Sequence, residues 1–196
     1  RNFWNKPVSF TLGSKTHTCM TELSRSFGNE LAPGQEGTIV IQYDPAQRGA
    51  FGLVRDNLYY ETNDSIEARK IVRYSVNIQE DFSTMSAKDL KKAAAATYSE
   101  TEHEFGNVQK NATANAEIKI TNTGKSPLLI RNVQTGSGYY KASSNMTEVP
   151  VGGEAVVTIN FKASSRASKQ ESTVDVITND PNNPVQVIKV SAMVVE

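Results

Sequence analysis

LAPGQEGTIVIQY at residues 31–43 is followed 118 residues later by VPVGGEAVVTINF at residues 149–161. In both stretches a glycine-containing turn precedes apolar residues at every second position, namely Ile39, Ile41, Tyr43, Val157, Ile159 and Phe161. Successive side chains of a strand point to opposite faces, so this period predicts strands with one buried and one solvent face. Residues 71–78 alternate in the same way, and the residues expected to face the core are Val72, Tyr74, Val76 and Ile78.

Two other phrases recur in the same order. Residues 2–7, NFWNKP, match residues 122–127, NTGKSP, and the Thr-Asn-Asp of residues 62–64 returns at residues 178–180. Proline presets φ and glycine supplies a positive φ, so such phrases are typical of turns between strands. Short strands between regularly spaced turns favour a β-sandwich. The repeated order predicts a duplication, with two sandwiches in tandem.

The two copies differ at their beginnings. In the second copy, residues 104–108 and the alternating residues 114–120 precede the repeated phrase and predict two opening strands. The residues expected to face inward are Ala114, Ala116, Ile118 and Ile120. Counterparts of these strands in the first copy would lie before Arg1, so we expect the natural protein to continue upstream.

Three segments follow from this pattern. We assign residues 1–82 to a sandwich that lacks its first strands, residues 83–102 to a linker with a short helix, and residues 103–196 to a second sandwich. Within the linker, Ser86 and Asp89 have capping-box spacing before a run of leucine, lysine and alanine, which favour helix. An isolated helix this short is marginal, so it must either dock on one domain or fray. A plain linker and a partner-binding helix both fit this segment.

Composition excludes several classes of protein. The 196 residues carry 21 basic and 21 acidic side chains, and a net charge of zero argues against non-specific binding of nucleic acids or anionic membranes. No apolar run exceeds four residues, against the roughly 20 that a membrane helix requires. The single cysteine excludes an intrachain disulfide and an all-cysteine zinc site.

Residues 104–108, EFGNV, and residues 120–130, ITNTGKSPLLI, resemble the opening of a bacterial family of unknown function. The turn at Pro33-Gly34 and the two Thr-Asn-Asp phrases match its continuation. This family belongs to the hydin-like branch of immunoglobulin-type sandwiches, which is related to major sperm protein and PapD-like chaperones. The resemblance extends over nearly the whole chain as two copies. It implies two tandem immunoglobulin-like β-sandwich domains with a short helical linker.

The same resemblance implies a place in the cell. Its members are typical of exported proteins of Bacteroides-type bacteria, so we expect an extracytoplasmic location, in the periplasm or at the cell surface. Many members carry a Cys-Gly-Cys-Thr stretch after the third strand. This chain has HTCMT at residues 17–21 and GSGYY at residues 136–140 instead, so no role of paired cysteines is carried over.

Residues able to perform chemistry are few. His17 and Cys19 would share one face of a strand, but a zinc or copper site needs a further ligand, and His103 is 86 residues away. Cysteine catalysis would require a base held nearby. We therefore expect a half-buried strand pair, and no catalytic, cofactor-binding or metal site.

Aromatic residues are the other candidates. Flat rings with a polar tip suit the face of a glycan, and the candidates are Phe3, Trp4, Tyr59, Tyr60, Tyr139 and Tyr140. Ordinary core aromatics would give the same pattern. Adjacent tyrosines alternate faces in a strand, so one of each pair is expected in the core. Trp4 is the best exposed candidate, because it occupies the turn position that Gly124 holds in the second copy.

These observations favour a binding protein over an enzyme. We expect a non-catalytic extracytoplasmic binding or scaffold module that recognises a protein of the cell envelope through sheet edges, loops or the interdomain cleft. One specific version is a strand donated by a partner to a sheet edge. The alternative is a carbohydrate-binding accessory protein of polysaccharide processing, which would use Trp4 and the exposed tyrosines. Neither requires a cofactor or a nucleic-acid partner.

Overall fold

The computed structural model describes residues 1–196, and strands make up 54% of them against 4% for helices. The predicted all-β class is confirmed. Two compact units divide the chain, Arg1–Ile78 and Gln79–Glu196. Neither helix has the length and apolar character that crossing a membrane requires.

The first unit contains two sheets and one short helix. Its elements are β1 (Val8–Leu12), β2 (Met20–Arg25), β3 (Glu30–Leu31), β4 (Ile39–Tyr43), α1 (Pro45–Arg48), β5 (Gly52–Thr62) and β6 (Arg69–Ile78). The larger sheet has the order β3-β1-β5-β6, and β2 pairs with β4 in a separate sheet. All these pairs are antiparallel.

The end of β4 is set by local chemistry that the sequence pattern did not reveal. The carboxylate of Asp44 caps α1 by accepting hydrogen bonds from amides two and three residues later, at 2.9 and 3.3 Å. Pro45 stands at the start of the helix, where its missing N–H costs nothing. Gly49 ends the helix at a φ of 62°, a left-handed conformation that favours glycine. The chain thereby leaves the small sheet and enters β5.

The second unit contains two larger sheets. Its elements are α2 (Ala87–Leu90), β7 (Ala96–Tyr98), β8 (Glu102–Gln109), β9 (Thr113–Asn122), β10 (Leu128–Thr135), β11 (Tyr140–Ser144), β12 (Glu148–Val149), β13 (Glu154–Lys162), β14 (Ser168–Thr178) and β15 (Val185–Val195). One sheet has the order β12-β10-β14-β15-β8 and the other β11-β13-β9-β7. β8 pairs with β15 in parallel. Between β7 and β8 the chain passes from the four-stranded sheet to the five-stranded sheet.

Apolar side chains from both sheets of the second unit form one core. The strands β9, β13, β14 and β15 supply its most deeply buried members, including Ile118, Ile120, Val157, Ile159, Phe161, Val174, Val176, Ile188 and Val190. Two sheets that share a core in this way form a β-sandwich. The predicted opening strands are confirmed as β8 and β9, with Ala116, Ile118 and Ile120 buried.

The segment between the predicted sandwiches contains a helix and a strand. The capping box is present, since the Ser86 hydroxyl accepts from the Asp89 amide at 3.2 Å and the Asp89 carboxylate accepts from the Ser86 amide at 3.2 Å. The structure differs from a plain linker at β7, whose residues pair with the end of β9. A strand of three residues is too short to show a period, and its partner lies more than 20 residues away in sequence.

Two buried asparagines hold matching turns in the two units. The Asn2 side-chain amide donates to the carbonyl oxygen four residues later and to that of Leu31, both at 2.8 Å. The Asn122 amide donates to the carbonyl oxygen four residues later, at 2.9 Å, and to that of Val149, at 3.0 Å. These partners occupy the same positions of the repeated phrases.

A second pair of asparagines matches in the same way. Oδ1 of Asn63 accepts from the Ser9 amide at 3.0 Å, and Oδ1 of Asn179 accepts from the Leu129 amide at 2.7 Å. Each side-chain amide also donates to a proline carbonyl, at 3.1 and 3.2 Å. The two sets of bonds, together with the repeated phrases, match β1 with β10, β4 with β13, β5 with β14 and β6 with β15.

Candidate protein-binding site

Unpaired edges distinguish β4 and β6 from their counterparts in the second unit. β13 is paired on both edges, by β11 and β9, and β15 is paired by β14 and β8. β4 is paired only with β2, and β6 only with β5. The first unit has no strand in the places of β8 and β9. An unpaired edge presents N–H and C=O groups that can pair with another chain.

The core-facing side chains of β4 are only half-buried. Ile39, Ile41 and Tyr43 each keep part of their surface in solvent. Their counterparts on β13 have 0% exposed surface and are Val157, Ile159 and Phe161. The last strands show the same contrast, because Val72 is 53% exposed and Ile188 is 0% exposed. The prediction that Val72 faces a core is therefore wrong, whereas farther along the same face Tyr74 packs against Tyr43 and Ile78 is buried.

The main-chain groups on the open edge belong to the same three residues. The Asp44 amide donates to a carbonyl just before β2 at 2.7 Å, and the Thr38 carbonyl accepts from an amide just after β2 at 2.9 Å. Even-numbered residues of β4 therefore face β2. Because main-chain groups alternate in direction along a strand, Ile39, Ile41 and Tyr43 direct theirs to the open edge. A strand added there would gain hydrogen bonds and apolar contacts from the same residues.

An aromatic pair joins β4 to β6 across the first unit. The ring centroids of Tyr43 and Tyr74 are 5.8 Å apart at an interplanar angle of 74°, an edge-to-face arrangement. Both hydroxyl oxygens are enclosed without a hydrogen-bond partner. Burial raises the pKa of both phenols, that of Tyr74 to about 12, and burial also raises the pKa of the nearby Cys19 thiol. These three side chains therefore stay neutral at pH 7.

His17 and Cys19 lie in the turn before β2 rather than on a strand, which corrects the expectation of a shared strand face. Nδ1 of His17 accepts from the Cys19 amide at 3.1 Å, a local bond of the kind that stabilises turns. Cys19 is 1% exposed. His103 lies on β8 in the second unit, with Nδ1 2.8 Å from a carboxylate oxygen of Glu100. The chain contains no group of three or more potential ligands placed to hold a metal.

The tyrosine pairs follow the predicted alternation. Tyr60 and Tyr140 are 5% and 1% exposed and belong to the cores of their units. Tyr139 is 45% exposed, whereas Tyr59 is half-buried beneath the guanidinium of Arg69. Of these rings, Tyr139 is therefore the one available to a ligand.

Near the start of the chain, Phe3 rather than Trp4 is the exposed ring. Phe3 is 89% exposed, and Trp4 is half-buried with the Lys6 ammonium 5.6 Å from its ring centroid. The expectation that Trp4 is the best exposed aromatic is wrong. At this turn the ring of Phe3 points into solvent, and the ring of Trp4 does so only in part.

A polar groove of about 660 Å³ lies against the five-stranded sheet of the second unit. Its charged side chains pair with each other, Lys189 with Glu102 at 2.7 Å and Lys169 with Glu171 at 2.5 Å. Exposed pairs of this kind are worth little free energy. The groove is bordered by β8, the edge strand of its sheet, but ion-paired side chains rather than half-buried apolar ones line it, so it is a weaker candidate for a protein-binding site than β4.

The second unit carries a recognisable family pattern. Residues 96–194 match the family described as "Protein of unknown function (DUF1573)". The chain belongs to the DUF1573 family. The match begins at the first residue of β7, so the DUF1573 pattern includes the strand that the linker prediction missed.

Solved structures resemble this DUF1573 chain. A protein of unknown function from Porphyromonas gingivalis W83 is 20% identical, with 98% of this chain and 87% of that chain covered and a TM-score of 0.69. The ASH/PapD-like domain of human CEP192 (PapD-like domain 7) is 11% identical over 62% of this chain and 97% of that chain, with a TM-score of 0.45. The first likeness shows the fold, and the second carries no functional argument. No curated protein gives a significant match.

Sequence reasoning found part of the candidate site in this DUF1573 chain. The repeat predicted where opening strands of the first copy would lie, but it did not show that β4 is paired only with β2 within residues 1–196. The available signal was the spacing between residues 114–120 and residues 154–162, because those two alternating segments pair as β9 and β13. Placing the same pairing on the first copy would have pointed to β4.

Proposed function

We propose that the chain is a non-catalytic binding or scaffold module, outside the cytoplasmic membrane, that recognises a protein partner through an exposed sheet edge. The observation that carries the proposal is that the sheets of both units end in strands with an unpaired edge, among them β4, beside which Ile39, Ile41 and Tyr43 are half-buried. Extended polypeptides bind such edges by adding a strand. Main-chain hydrogen bonds then supply affinity, and pockets for alternate side chains supply specificity.

The proposal includes two tandem immunoglobulin-like sandwiches. The hydrogen bonds of Asn2 match those of Asn122, and the bonds of Asn63 match those of Asn179, which supports this duplication.

The proposed location rests on the resemblance to exported proteins of Bacteroides-type bacteria. Fractionation of the native host with an antibody against the chain tests this part. We expect the protein in the periplasmic or outer-membrane fraction. Recovery in the cytosolic fraction would contradict the proposed location and would leave the binding proposal to the next experiment.

Partner recognition is tested with a photo-crosslinking residue at Val40, on the outer face of β4. A matched control places the same residue at Val187, on β15, whose two edges are both paired. The two side chains are 45% and 44% exposed, so non-specific crosslinking should be equal at the two positions. After irradiation in envelope extract of the native host, we expect one protein crosslinked at near-equal amount from Val40 and not from Val187. Equal crosslinking from both positions, or none from either, would count against the proposal.

A carbohydrate-binding accessory is the second candidate, and the exposed rings of Tyr139 and Phe3 favour it. Binding of the chain to a panel of polysaccharides, with Tyr139→Ala and Phe3→Ala as variants, separates the two candidates. A glycan-binding protein should lose retention in one of these variants. A protein-binding module should show no retention that depends on either ring.

A further inference from the structure

One end of the four-stranded sheet in the second unit carries a compact set of exposed side chains. Tyr140 on β11 lies opposite Phe161 on β13, and Phe161 lies opposite Ala114 on β9. Tyr140 and Phe161 are 1% and 0% exposed, so this row faces the core. Because successive side chains of a strand point to opposite faces, the residues before and after each of these three lie on the outer face of the sheet.

Two adjacent rows of side chains follow from this register. In the first row, the Lys162 amide donates to the Tyr139 carbonyl at 2.8 Å, and Lys162 lies opposite Thr113. The second row consists of Lys141, Asn160 and Asn115. All six side chains are exposed. Neighbouring strands are about 4.8 Å apart and the two rows about 7 Å, so the six side chains form one continuous surface.

The ring of Tyr139 has a free face, unlike three other aromatic rings that reach solvent. At each of those three, a basic side chain lies 5.6 to 6.0 Å from the ring centroid, and the pairs are Arg1 with Phe3, Lys6 with Trp4 and Arg69 with Tyr59. No basic group lies over Tyr139 in this way, and 45% of its surface is exposed. A flat apolar ring with a polar hydroxyl at its edge suits stacking on a sugar.

The two lysines beside this ring have no carboxylate partner. Five lysines lie on strands of the second unit. Those that pair with a carboxylate are Lys119, Lys169 and Lys189. Lys141 and Lys162 do not, and the first carboxylate on their face of the sheet belongs to Glu117, in the row beyond Lys141. The surface therefore carries two positive charges, although the chain has a net charge of zero.

Contacts on both sides fix the main chain of Tyr139. Its carbonyl accepts from the Lys162 amide, and its own amide donates to Oγ of Ser137 at 3.3 Å. The next residue, Tyr140, is buried, and its hydroxyl donates to the Gln170 carbonyl at 3.0 Å. A ring on a fixed main chain loses little conformational entropy on binding, because only its own two side-chain torsions have to be ordered.

Resting on the carbohydrate-binding candidate, we infer that a site composed of Tyr139, Lys141, Asn160 and Lys162, the Tyr139 patch, binds an acidic polysaccharide. A sugar ring stacks on Tyr139, and carboxylate or sulfate groups of the polymer pair with the two ammonium groups. The Asn160 side-chain amide donates to and accepts from sugar hydroxyls. Charge complementarity selects an acidic polymer, because a neutral one leaves both ammonium groups unpaired. A net charge of zero means that the attraction comes from the patch rather than from the whole chain.

The probes are two acidic polysaccharides and their uncharged counterparts, each immobilised and presented to the 196-residue chain. Polygalacturonate carries carboxylates, which are masked in its methyl ester, and dextran sulfate carries sulfates, which dextran lacks. We expect at least about tenfold tighter binding to one acidic polymer than to its uncharged counterpart, and the polymer that binds identifies the acidic group. Equal binding of the charged and uncharged forms, or no binding of either acidic polymer, would overturn the inference.

Matched lysine variants separate the Tyr139 patch from general electrostatic attraction. Lys141→Gln combined with Lys162→Gln removes two charges from the patch. Lys169→Gln combined with Lys189→Gln removes two charges from the other sheet of the same unit, so the net charge changes equally. We expect the first double variant to bind the acidic polymer at least about tenfold more weakly and the second to bind within about twofold. Equal losses in the two would contradict the inference.

Variants of the ring separate stacking from charge. Tyr139→Ala leaves the net charge unchanged and should weaken binding about tenfold, whereas Tyr139→Phe keeps the ring and should bind within about twofold. Thermal melts of all variants should match that of the unchanged chain, because the side chains concerned are exposed. Unchanged binding by Tyr139→Ala would overturn the inference, as would equally tight binding of single-stranded DNA, which would assign the patch to nucleic acid.

Lysine acetylation locates the bound polymer. We expect saturating polysaccharide to slow acetylation of Lys141 and Lys162 and to leave Lys125 unchanged, because Lys125 is exposed in the turn at the far end of β9. Equal protection of Lys125 would count against the Tyr139 patch. Should binding depend on Tyr139 but prefer no acidic polymer, the carbohydrate-binding candidate stands and this inference fails. If no polysaccharide binds, both fail, and crosslinking from Val40 still tests protein recognition.

Discussion

Truncation of two matched isoleucines, Ile159→Ala in the second unit and Ile41→Ala in the first, tests whether the core beside β4 is open. Ile159 has no exposed surface, and its cross-strand neighbours are Ala116 and Ala142. Alanines are too small to move into the space that the truncation leaves. We therefore expect Ile159→Ala to lower the free energy of unfolding by about 4 kcal/mol, in the upper part of the range for such changes.

The cost at Ile41 should be much smaller. Removing three carbons from a fully buried side chain costs about 2.4 kcal/mol, at about 0.8 kcal/mol each, before any cavity contributes. Ile41 is half-buried, and the space it leaves opens to solvent beside the unpaired edge, so no closed cavity forms. Most of the transfer free energy, about 2 kcal/mol, is then the expected loss, without the further cost of a cavity.

The two units need separate reporters, because a chain of two units does not have to unfold in one step. Trp4 is the only tryptophan and lies in the first unit, so its fluorescence during urea unfolding follows Ile41→Ala. Native-state hydrogen exchange at the β9–β13 amides follows Ile159→Ala. Val40→Ala, on the outer face of β4, is the control and should change stability by less than about 0.5 kcal/mol.

Equal losses for Ile41→Ala and Ile159→Ala would refute the reasoning, because they would mean that the core of the first unit is closed in solution.

Three other outcomes follow from single residues. Gly124→Ala would overlap the backbone of Ala95, and we expect it to cost about 2 kcal/mol and to release hydrogen-exchange protection at β7. Lys70, with two backbone amides, lowers the pKa of Asp64 to about 2. Because this folded-state pKa lies below that of an unfolded aspartate, the stabilisation is complete above about pH 4 and is lost as the pH falls towards 2. Thermal melts between pH 5 and pH 2 should therefore fall less steeply for Asp64→Asn than for the unchanged chain. The buried Cys19, whose thiol pKa is raised by burial, should react with a thiol reagent slowly in the native chain and quickly in denaturant.

Local alternation predicted most of the strands because it arises from each strand by itself. The segments at residues 39–43 and 156–161 have a buried face whatever their partners are, so the pattern appears in sequence. The turns are also predicted from local sequence, because proline and glycine set the backbone conformation at their own positions. An N-cap at Asp44 followed by Pro45 is another local signal, and it is enough to predict the start of α1.

The features that the sequence did not predict depend on distant parts of the chain. The alternation in β6 is the same as in β15, yet Val72 is exposed and Ile188 is not, because only β15 is covered by other strands. β7 owes its existence to pairing with β9 rather than to any period of its own. His17 and Cys19 are two residues apart, like neighbours on one face of a strand. They lie in the turn before β2, however, where the alternation of a strand does not apply. Coverage and pairing are tertiary properties, and spacing alone does not encode them.

Asp180 and Asp64 hold matching positions in the two units but have different partners. In the second unit the Ala96 amide donates to the Asp180 carboxylate at 2.9 Å, whereas in the first unit the Lys70 ammonium donates to the matching Asp64 oxygen at 2.7 Å. The position of Gly124, which admits no side chain beside the residues before β7, is held in the first unit by Trp4. A side chain of the first unit thus supplies the hydrogen bond that the main chain of β7 supplies in the second. The two units therefore share the turns of their repeated phrases, whereas the groups that bond to those turns differ.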